Sequence, residues 1–152
     1  MYVNRKKKII VVNLMFLFWS IIAMAESELI SITTLEEDSD KILQRKSREV
    51  LFPLTMEDKQ LIAKMKEKLY SIEGVGLAAP QVGINKKIIV IFIPESAALL
   101  REDIITYPMH VMLNPNYTAV DSSKTFADFE GCYSVASKMG KVPRYKKINL
   151  SY

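Results

Sequence analysis

The most constraining feature of this 152-residue chain is an uninterrupted apolar run at residues 88–93. It consists of isoleucine, valine and phenylalanine only, residue types that favour extended backbone. The run contains no polar position, and Pro94 ends it. It therefore predicts one buried strand, which requires a second layer of structure to cover it.

The segment upstream of the run predicts a helix that can supply that layer. Thr55 suits the N-cap position, and Glu57 and Asp58 follow in the first turn, where the helix dipole favours acidic side chains. Apolar residues then recur at helical spacing on one stripe, at Leu61, Ile62, Met65 and Leu69. We expect Gly74 and Gly76 to end this helix and to open a loop.

Shorter strand patterns follow the run. They occupy residues 111–113, 117–120 and 125–129, and a last strand is indicated by the alternating apolar residues Ile148, Leu150 and Tyr152. One N-terminal helix followed by short, mostly antiparallel strands predicts an α+β fold.

The N-terminus has the pattern of a targeting segment. Four basic residues at positions 5–8 precede an apolar stretch that ends in Ala23-Met24-Ala25. This pattern predicts a signal peptide over residues 1–25, with an uncleaved membrane anchor as the first alternative and a misassigned start or a buried strand as the second. If the leader is used, we expect export to the periplasm or secretion, with membrane contact only if it stays uncleaved. Without a working leader, the chain would be cytoplasmic.

Composition excludes several kinds of partner and site. Four of the 21 basic residues and none of the 17 acidic ones lie in the leader, so the remainder is neutral and no nucleic-acid partner is expected. One cysteine and one histidine exclude an internal disulfide and any metal site that needs two histidines. Residues 26–40 are acidic and rich in Ser and Thr, which predicts a flexible linker before a domain at residues 41–152.

A first motif lies between the predicted helix and the buried strand, and its letters from Gly74 to Gln81 are G-V-G-L-A-A-P-Q. The same letters satisfy the dinucleotide pattern G-x-G-x-x-A. That pattern must follow a strand and open a helix, whereas here it follows a helix and Pro80 interrupts it. A plain glycine-proline turn is the other interpretation, but Gln81 is an amide among small and apolar residues.

A second motif follows 49 positions later, and its letters from Glu130 to Ser134 are E-G-C-Y-S. By itself, a cysteine after a glycine indicates only a small buried residue. Together, the two motifs resemble those of the peptide deformylase family, G-x-G-x-A-A-x-Q and E-G-C-x-S, in this order. Val142-Pro143-Arg144 adds to the resemblance, which covers roughly residues 41–152.

The resemblance implies a metal-assisted hydrolysis that removes the formyl group from the N-terminal methionine of new polypeptides. It implies that Cys132 is a thiolate ligand of Fe²⁺ or Zn²⁺. It also implies that Gln81 and the backbone N–H of Tyr133 donate to the oxyanion, a placement that suits amide hydrolysis. Gly74 and Gly76 would border the bound peptide.

The third motif of the family, H-E-x-x-H on a helix, is absent from these 152 residues. His110 is single and lies upstream of the second motif, so we expect a solvent-facing loop histidine and neither a ligand nor a base for Cys132. We therefore expect a truncated, degenerate homologue without hydrolase activity or a bound cofactor, in which Cys132, Gln81 and Tyr133 are vestigial.

The missing helix also has consequences for the fold. In the family it packs between the sheets as part of the core, so we expect an exposed apolar patch at Ile89, Ile91, Ile148 and Leu150. Two alternatives remain open. In the first, a complementary chain carries H-E-x-x-H and restores an active deformylase. In the second, the chain is an exported, non-catalytic module that holds a peptide on the loop between Gly74 and Gln81.

Overall fold

The computed structural model describes residues 29–98 and 105–152. The predicted leader, residues 1–25, lies outside these residues. Within the described part, no helix is long and apolar enough to cross a bilayer. The described residues form a long helix on a three-stranded sheet, together with two separate two-stranded sheets.

Helix α1 spans Met56–Ser71 and begins where the sequence predicts. The Thr55 hydroxyl accepts from the backbone N–H of Asp58 at 3.1 Å, and the Asp58 carboxylate accepts from the Thr55 N–H at 3.3 Å. This reciprocal pair is a capping box. Met65 and Leu69 are completely buried, so the predicted apolar stripe faces the core.

The end of α1 differs from the prediction. The helix ends at Ser71. The residue with left-handed backbone after it is Glu73, at φ +52°, and not Gly74 or Gly76. The Gly74 N–H donates to the Leu69 carbonyl at 3.1 Å and closes the last turn. Gly74 is constrained by space, because a Cβ there would lie 3.0 Å from Cδ1 of Leu69.

The three-stranded sheet packs against α1. Its strands are β1 (Gly76–Ala78), β2 (Ile88–Ile93) and β3 (Tyr107–Leu113), in the order β1-β2-β3 with both pairs antiparallel. The side chains of Ile88 and Val90 are buried in the core between sheet and helix. That core comprises Val50, Met65, Leu69, Leu77, Ala79, Val82, Ile88 and Val90.

The remaining strands form two antiparallel pairs. Strand β4 (Asn116–Ala119) pairs with β7 (Ile148–Ser151), and β5 (Thr125–Cys132) pairs with β6 (Val135–Tyr145) in a hairpin. A four-residue helix, α2 (Glu95–Ala98), follows β2. These elements confirm the α+β prediction. Neither β1 nor the 11-residue β6 was predicted; β6 contains Gly140 and Pro143, which both weaken a strand pattern.

Part of the expected linker contacts the domain. Ile30 and Ile32 pack against the core, and the segment after them donates backbone hydrogen bonds to later loops. Asp38 is buried, and its carboxylate accepts the N–H groups of Ile42 and Leu43 at 2.7 and 2.8 Å. These contacts are typical of a packed segment and not of a flexible linker. They begin upstream of the expected domain boundary at Lys41.

The expected apolar patch is present in part. Ile148 and Leu150 are 46% and 42% exposed on β7, and Tyr117 faces them from β4, directly opposite Leu150. Ile89 and Ile91, on the face of β2 that does not contact α1, are half-buried. The patch is therefore concentrated on the β4–β7 pair.

His110 does not lie in a solvent-facing loop. It is half-buried in β3, opposite Ile91. Its ring makes an edge contact with Tyr152, with centroids 5.1 Å apart, and a tilted contact with Tyr107 at 5.8 Å. The prediction was wrong because strand β3 begins at Tyr107, four residues before the apolar pattern that revealed it.

Candidate functional site

Gln81 lies on a short 3₁₀ turn, Ala79–Val82, which connects β1 to the loop before β2. Its side-chain oxygen Oε1 accepts a hydrogen bond from the Ala78 backbone N–H at 2.8 Å. Because the oxygen is engaged, the orientation of the amide is fixed and its NH₂ group points away from the turn. Gln81 therefore presents a donor of fixed direction.

That donor points at the only cysteine of the chain. Gln81 Nε2 lies 3.5 Å from Sγ of Cys132, within hydrogen-bond distance for sulfur. Cys132 is the last residue of β5, at the tip of the β5–β6 hairpin, and its thiol is free and exposed. The fold thus brings together two predicted site residues that are 51 positions apart in sequence.

Tyr133 connects the hairpin tip to the end of α1. Its hydroxyl donates to the carbonyl of Ile72 at 2.9 Å. A Cβ at Gly74 would lie 3.3 Å from the Tyr133 ring, so the absence of a side chain at Gly74 lets the ring approach. The structure thereby places Tyr133 and Gly74 side by side. The role expected for the Tyr133 backbone N–H rests on the family resemblance alone.

Gly76 has a different environment from Gly74. It lies in β1 opposite Ile91, and a Cβ there would be 3.8 Å from the Val90 carbonyl oxygen, an ordinary contact distance. Packing inside the chain therefore does not require a glycine at this position.

A short upstream segment connects the two motifs through backbone hydrogen bonds that the sequence motifs did not predict. The Thr33 N–H donates to the Gln81 carbonyl at 2.8 Å, and the Leu35 N–H donates to the Ser134 carbonyl at 2.9 Å. We call residues 33–35 the strap. Its signal in the sequence was the alternation of Ile30 and Ile32 with Ser31 and Thr33, which is typical of a half-buried extended segment.

Ser134 is the most enclosed polar residue of the second motif. It is 2% exposed, and its hydroxyl oxygen has no hydrogen-bond partner among the described residues. Its carbonyl receives the strap, so the residue is fixed through its backbone.

Glu130, two positions before Cys132, is engaged in an ion pair. Its carboxylate accepts two hydrogen bonds from the Arg144 guanidinium, at 2.8 and 2.7 Å. These hydrogen bonds lower the pKa of the Glu130 carboxyl. Both carboxylate oxygens are directed to the guanidinium, so that this ion pair links β5 to β6 and leaves Glu130 poorly placed to join Cys132 in binding a cation.

The described residues do not provide a donor set that fits a resident metal ion. A catalytic zinc site takes three protein ligands and one open position. Among residues 29–98 and 105–152, no three His, Cys, Asp or Glu side chains are close enough to hold an ion. Cys132 has an amide as its neighbour, whereas the ring of His110 contacts Tyr107 and Tyr152.

Comparison with known proteins identifies the family. The sequence model described as polypeptide deformylase matches residues 32–152. The chain belongs to the polypeptide deformylase family. The match includes the strap, which lies in the segment predicted to be a linker.

Individual deformylases agree with this assignment. Peptide deformylase 2 of Rickettsia conorii is 36% identical over 134 residues, which are 84% of this chain and 65% of that protein. The crystal structure of the Ehrlichia chaffeensis deformylase has a TM-score of 0.67 at 28% identity, covering 82% of this chain and 68% of that one. A structure of the class I type b deformylase from Acinetobacter baumannii with Met-Ala-Ser bound has a TM-score of 0.66 at 26% identity, covering 83% and 77%. The chain thus spans less than two thirds of the Rickettsia relative.

Proposed function

We propose that this chain is a deformylase homologue that binds the N-terminal end of a peptide and does not by itself hydrolyse formyl-methionine. The observation that carries the proposal is the pairing of a directed amide donor, Gln81, with a free thiol, Cys132, in a chain with a single histidine. The oxyanion side of a deformylase site is retained, and the water-activating side lacks its ligands.

Magnitudes support the loss of hydrolysis. A donor of the kind that Gln81 supplies is worth about 3–4 kcal/mol in a transition state. A catalytic metal ion lowers the pKa of its bound water from about 15.7 to about 7. At about 1.36 kcal/mol per pKa unit, that shift is worth roughly 12 kcal/mol in the availability of hydroxide. The retained donor is too weak to compensate for a deficit of this size.

The binding half of the proposal rests on β1 and the turn after it. Strand β1 is an edge strand of the three-stranded sheet, and Gln81 supplies a fixed donor just after the C-terminal end of that strand. An extended peptide can lie against such an edge through backbone hydrogen bonds. The Acinetobacter relative with Met-Ala-Ser bound supports a peptide with an N-terminal methionine as the ligand.

The test combines turnover, metal content and binding. We expect no formate release from formyl-Met-Ala-Ser above the blank, with Fe²⁺ or Zn²⁺ added, and no stoichiometric metal in the purified chain. We expect Met-Ala-Ser to bind in a calorimetric titration. Gln81→Ala should weaken that binding about fivefold, the value of one hydrogen bond, whereas Gln44→Ala, on the separate 3₁₀ helix Ile42–Gln44, should not. Turnover with bound metal, or no peptide binding, would refute the proposal.

A second candidate function is an active deformylase assembled from two chains. The apolar face formed by Tyr117, Ile148 and Leu150 favours it, because all three side chains are more than 40% exposed on one side of the β4–β7 pair. A helix that carries H-E-x-x-H and an apolar stripe could cover this face and supply the two histidines that the chain lacks.

Mixing the chain with such a helix tests assembly. Stoichiometric zinc should be bound only when both are present, and Leu150→Asp should abolish it. Val120→Asp is the matched control, because Val120 is also an exposed apolar residue, 55% exposed, just beyond β4 and off this face. If no metal is bound by the mixture, or if both variants behave alike, two-chain assembly is rejected.

The proposed location is outside the cytoplasm. Basic positions 5–8, the apolar stretch after them and Ala23-Met24-Ala25 support export. Cell fractionation with mass determination of the mature N-terminus tests it: cleavage after Ala25 supports a signal peptide, an intact N-terminus in the membrane fraction supports an anchor, and an intact N-terminus in the cytoplasm rejects export.

A further inference from the structure

A separate cavity of about 480 Å³ lies between the segment that carries Arg45 and Arg48 and the loop 83–86. Backbone contacts hold its two walls together. The Lys87 N–H donates to the Arg48 carbonyl at 2.7 Å, and Arg48 forms a parallel bridge with Lys86. The cavity shares no residue with the Gln81–Cys132 site.

Positive charge predominates around this cavity. Its lining contains Arg45, Arg48 and Lys86 against a single carboxylate, Asp40. The Lys86 ammonium is paired with Asp58, and the Arg45 guanidinium donates to the Asp40 backbone carbonyl. The Arg48 guanidinium has no ion pair or hydrogen bond with any residue in the described ranges. The Arg45 guanidinium is therefore held in one orientation, and the Arg48 guanidinium is available to bind a ligand.

An amide without a partner lies in the same lining. The Asn85 side chain makes no hydrogen bond to the described residues, and its oxygen Oδ1 is buried. Buried polar atoms in folded proteins nearly always have a hydrogen-bond partner. Rotation of the Asn85 amide about its last side-chain bond exchanges the positions of the oxygen and the NH₂ group. Asn85 can therefore offer a hydrogen-bond donor to an anion.

We propose that this cavity binds the phosphate group of a phosphate monoester. The Arg48 guanidinium supplies a planar pair of donors that matches two phosphate oxygens, and Asn85 supplies a third donor. Ile42 and Ile84 also line the cavity and would contact the organic part of the ligand. The proposal does not depend on the peptide-binding function proposed above.

Titration of the full chain with phenyl phosphate tests the site. We expect saturable NMR shifts of the backbone amides of loop 83–86, and weaker binding of inorganic phosphate, which has no organic part. Arg48→Gln should weaken phenyl phosphate binding about tenfold, because it removes a charge-assisted contact. Lys141→Gln on β6 removes the same charge from an exposed position outside the cavity and should leave the affinity unchanged.

Three results would overturn the proposal. The first is the absence of saturable shifts, the second is an equal effect of both substitutions, and the third is binding of phenol at the same loop with similar affinity. Sedimentation with phosphatidic acid vesicles, against phosphatidylcholine vesicles, distinguishes the source of the phosphate. Vesicle binding that Arg48→Gln weakens supports a lipid headgroup, whereas phenyl phosphate binding without it supports a soluble ligand.

Discussion

Replacing Asp58 with asparagine tests how the N-terminus of α1 is attached to the sheet. Asp58 is 3% exposed. Its carboxylate accepts from the Thr55 hydroxyl at 3.1 Å and from the Lys86 ammonium. The asparagine side chain keeps the shape and one acceptor for the cap, so that the change removes chiefly the charge that faces Lys86.

The expected loss of stability follows from burial and exposure. Removing one partner of a buried ion pair costs about 3–5 kcal/mol when the other charge stays buried. The Lys86 side chain is 34% exposed, so its ammonium can turn to water and the cost falls. We expect about 2 kcal/mol for Asp58→Asn and about 3 kcal/mol for Asp58→Ala, which also removes the cap acceptor.

The same pair predicts a pH dependence. The hydrogen bond from Lys86, followed by those from Thr55, lowers the pKa of the Asp58 carboxyl below its ordinary value. A carboxyl with a lowered pKa stabilises the fold above its unfolded-state pKa of about 3.9, and this contribution is lost as the pH falls further. The stability difference between the wild type and Asp58→Asn should therefore be largest at neutral pH and should shrink below about pH 4.

Urea unfolding followed by circular dichroism, at pH 7 and at pH 3, measures both effects. Glu67→Gln is the control, since it removes an acidic residue from an exposed position on the same helix and should change the free energy of unfolding by less than about 0.5 kcal/mol. A loss for Asp58→Asn no larger than that of the control, or a loss that does not change between the two pH values, would refute this account.

Three further predictions concern Asn114, the glycines of the first motif and the metal content of the chain. Asn114→Ala should lower the free energy of unfolding in urea by about 2–3 kcal/mol, because the Asn114 amide makes two hydrogen bonds with the Val50 backbone, at 2.7 and 3.0 Å, and its φ is +53°. A loss below about 1 kcal/mol would contradict this. Gly74→Ala should cost about 1–2 kcal/mol, since its Cβ would lie 3.0 Å from Leu69, whereas Gly76→Ala, with 3.8 Å to its nearest atom, should cost less. A chelator should leave the melting temperature unchanged; a fall would indicate a bound metal.

Local signals carried the successful predictions. The N-cap at Thr55 and the buried stripe at Met65 and Leu69 depend on neighbours within one or two helical turns, so their pattern survives in the sequence. Strand β2 was predicted because its composition alone marks it as buried.

The predictions failed for segments whose structure depends on residues distant in the sequence. Strand β6 owes its extended backbone to pairing with β5, and no local pattern marks it in a stretch with lysines, a glycine and a proline. The strap owes its position to two carbonyls, of Gln81 and Ser134, that lie about 50 and 100 positions further along the chain. The family resemblance named Gln81 and Cys132 as candidate site residues, and the structure places their side chains 3.5 Å apart. The fixed direction of the Gln81 amide could not be predicted, because it depends on the position of the Ala78 N–H.

The strap also limits how far the proposed peptide-binding edge, strand β1 with Gln81, can be from a lipid surface. Ala25, the last residue of the predicted leader, is eight positions before Thr33, and eight extended residues reach at most about 29 Å. An anchored form would therefore keep Gln81 within roughly one protein diameter of the bilayer. It would meet mainly polypeptide ends that emerge close to the membrane, whereas a cleaved form could diffuse to ends anywhere in its compartment.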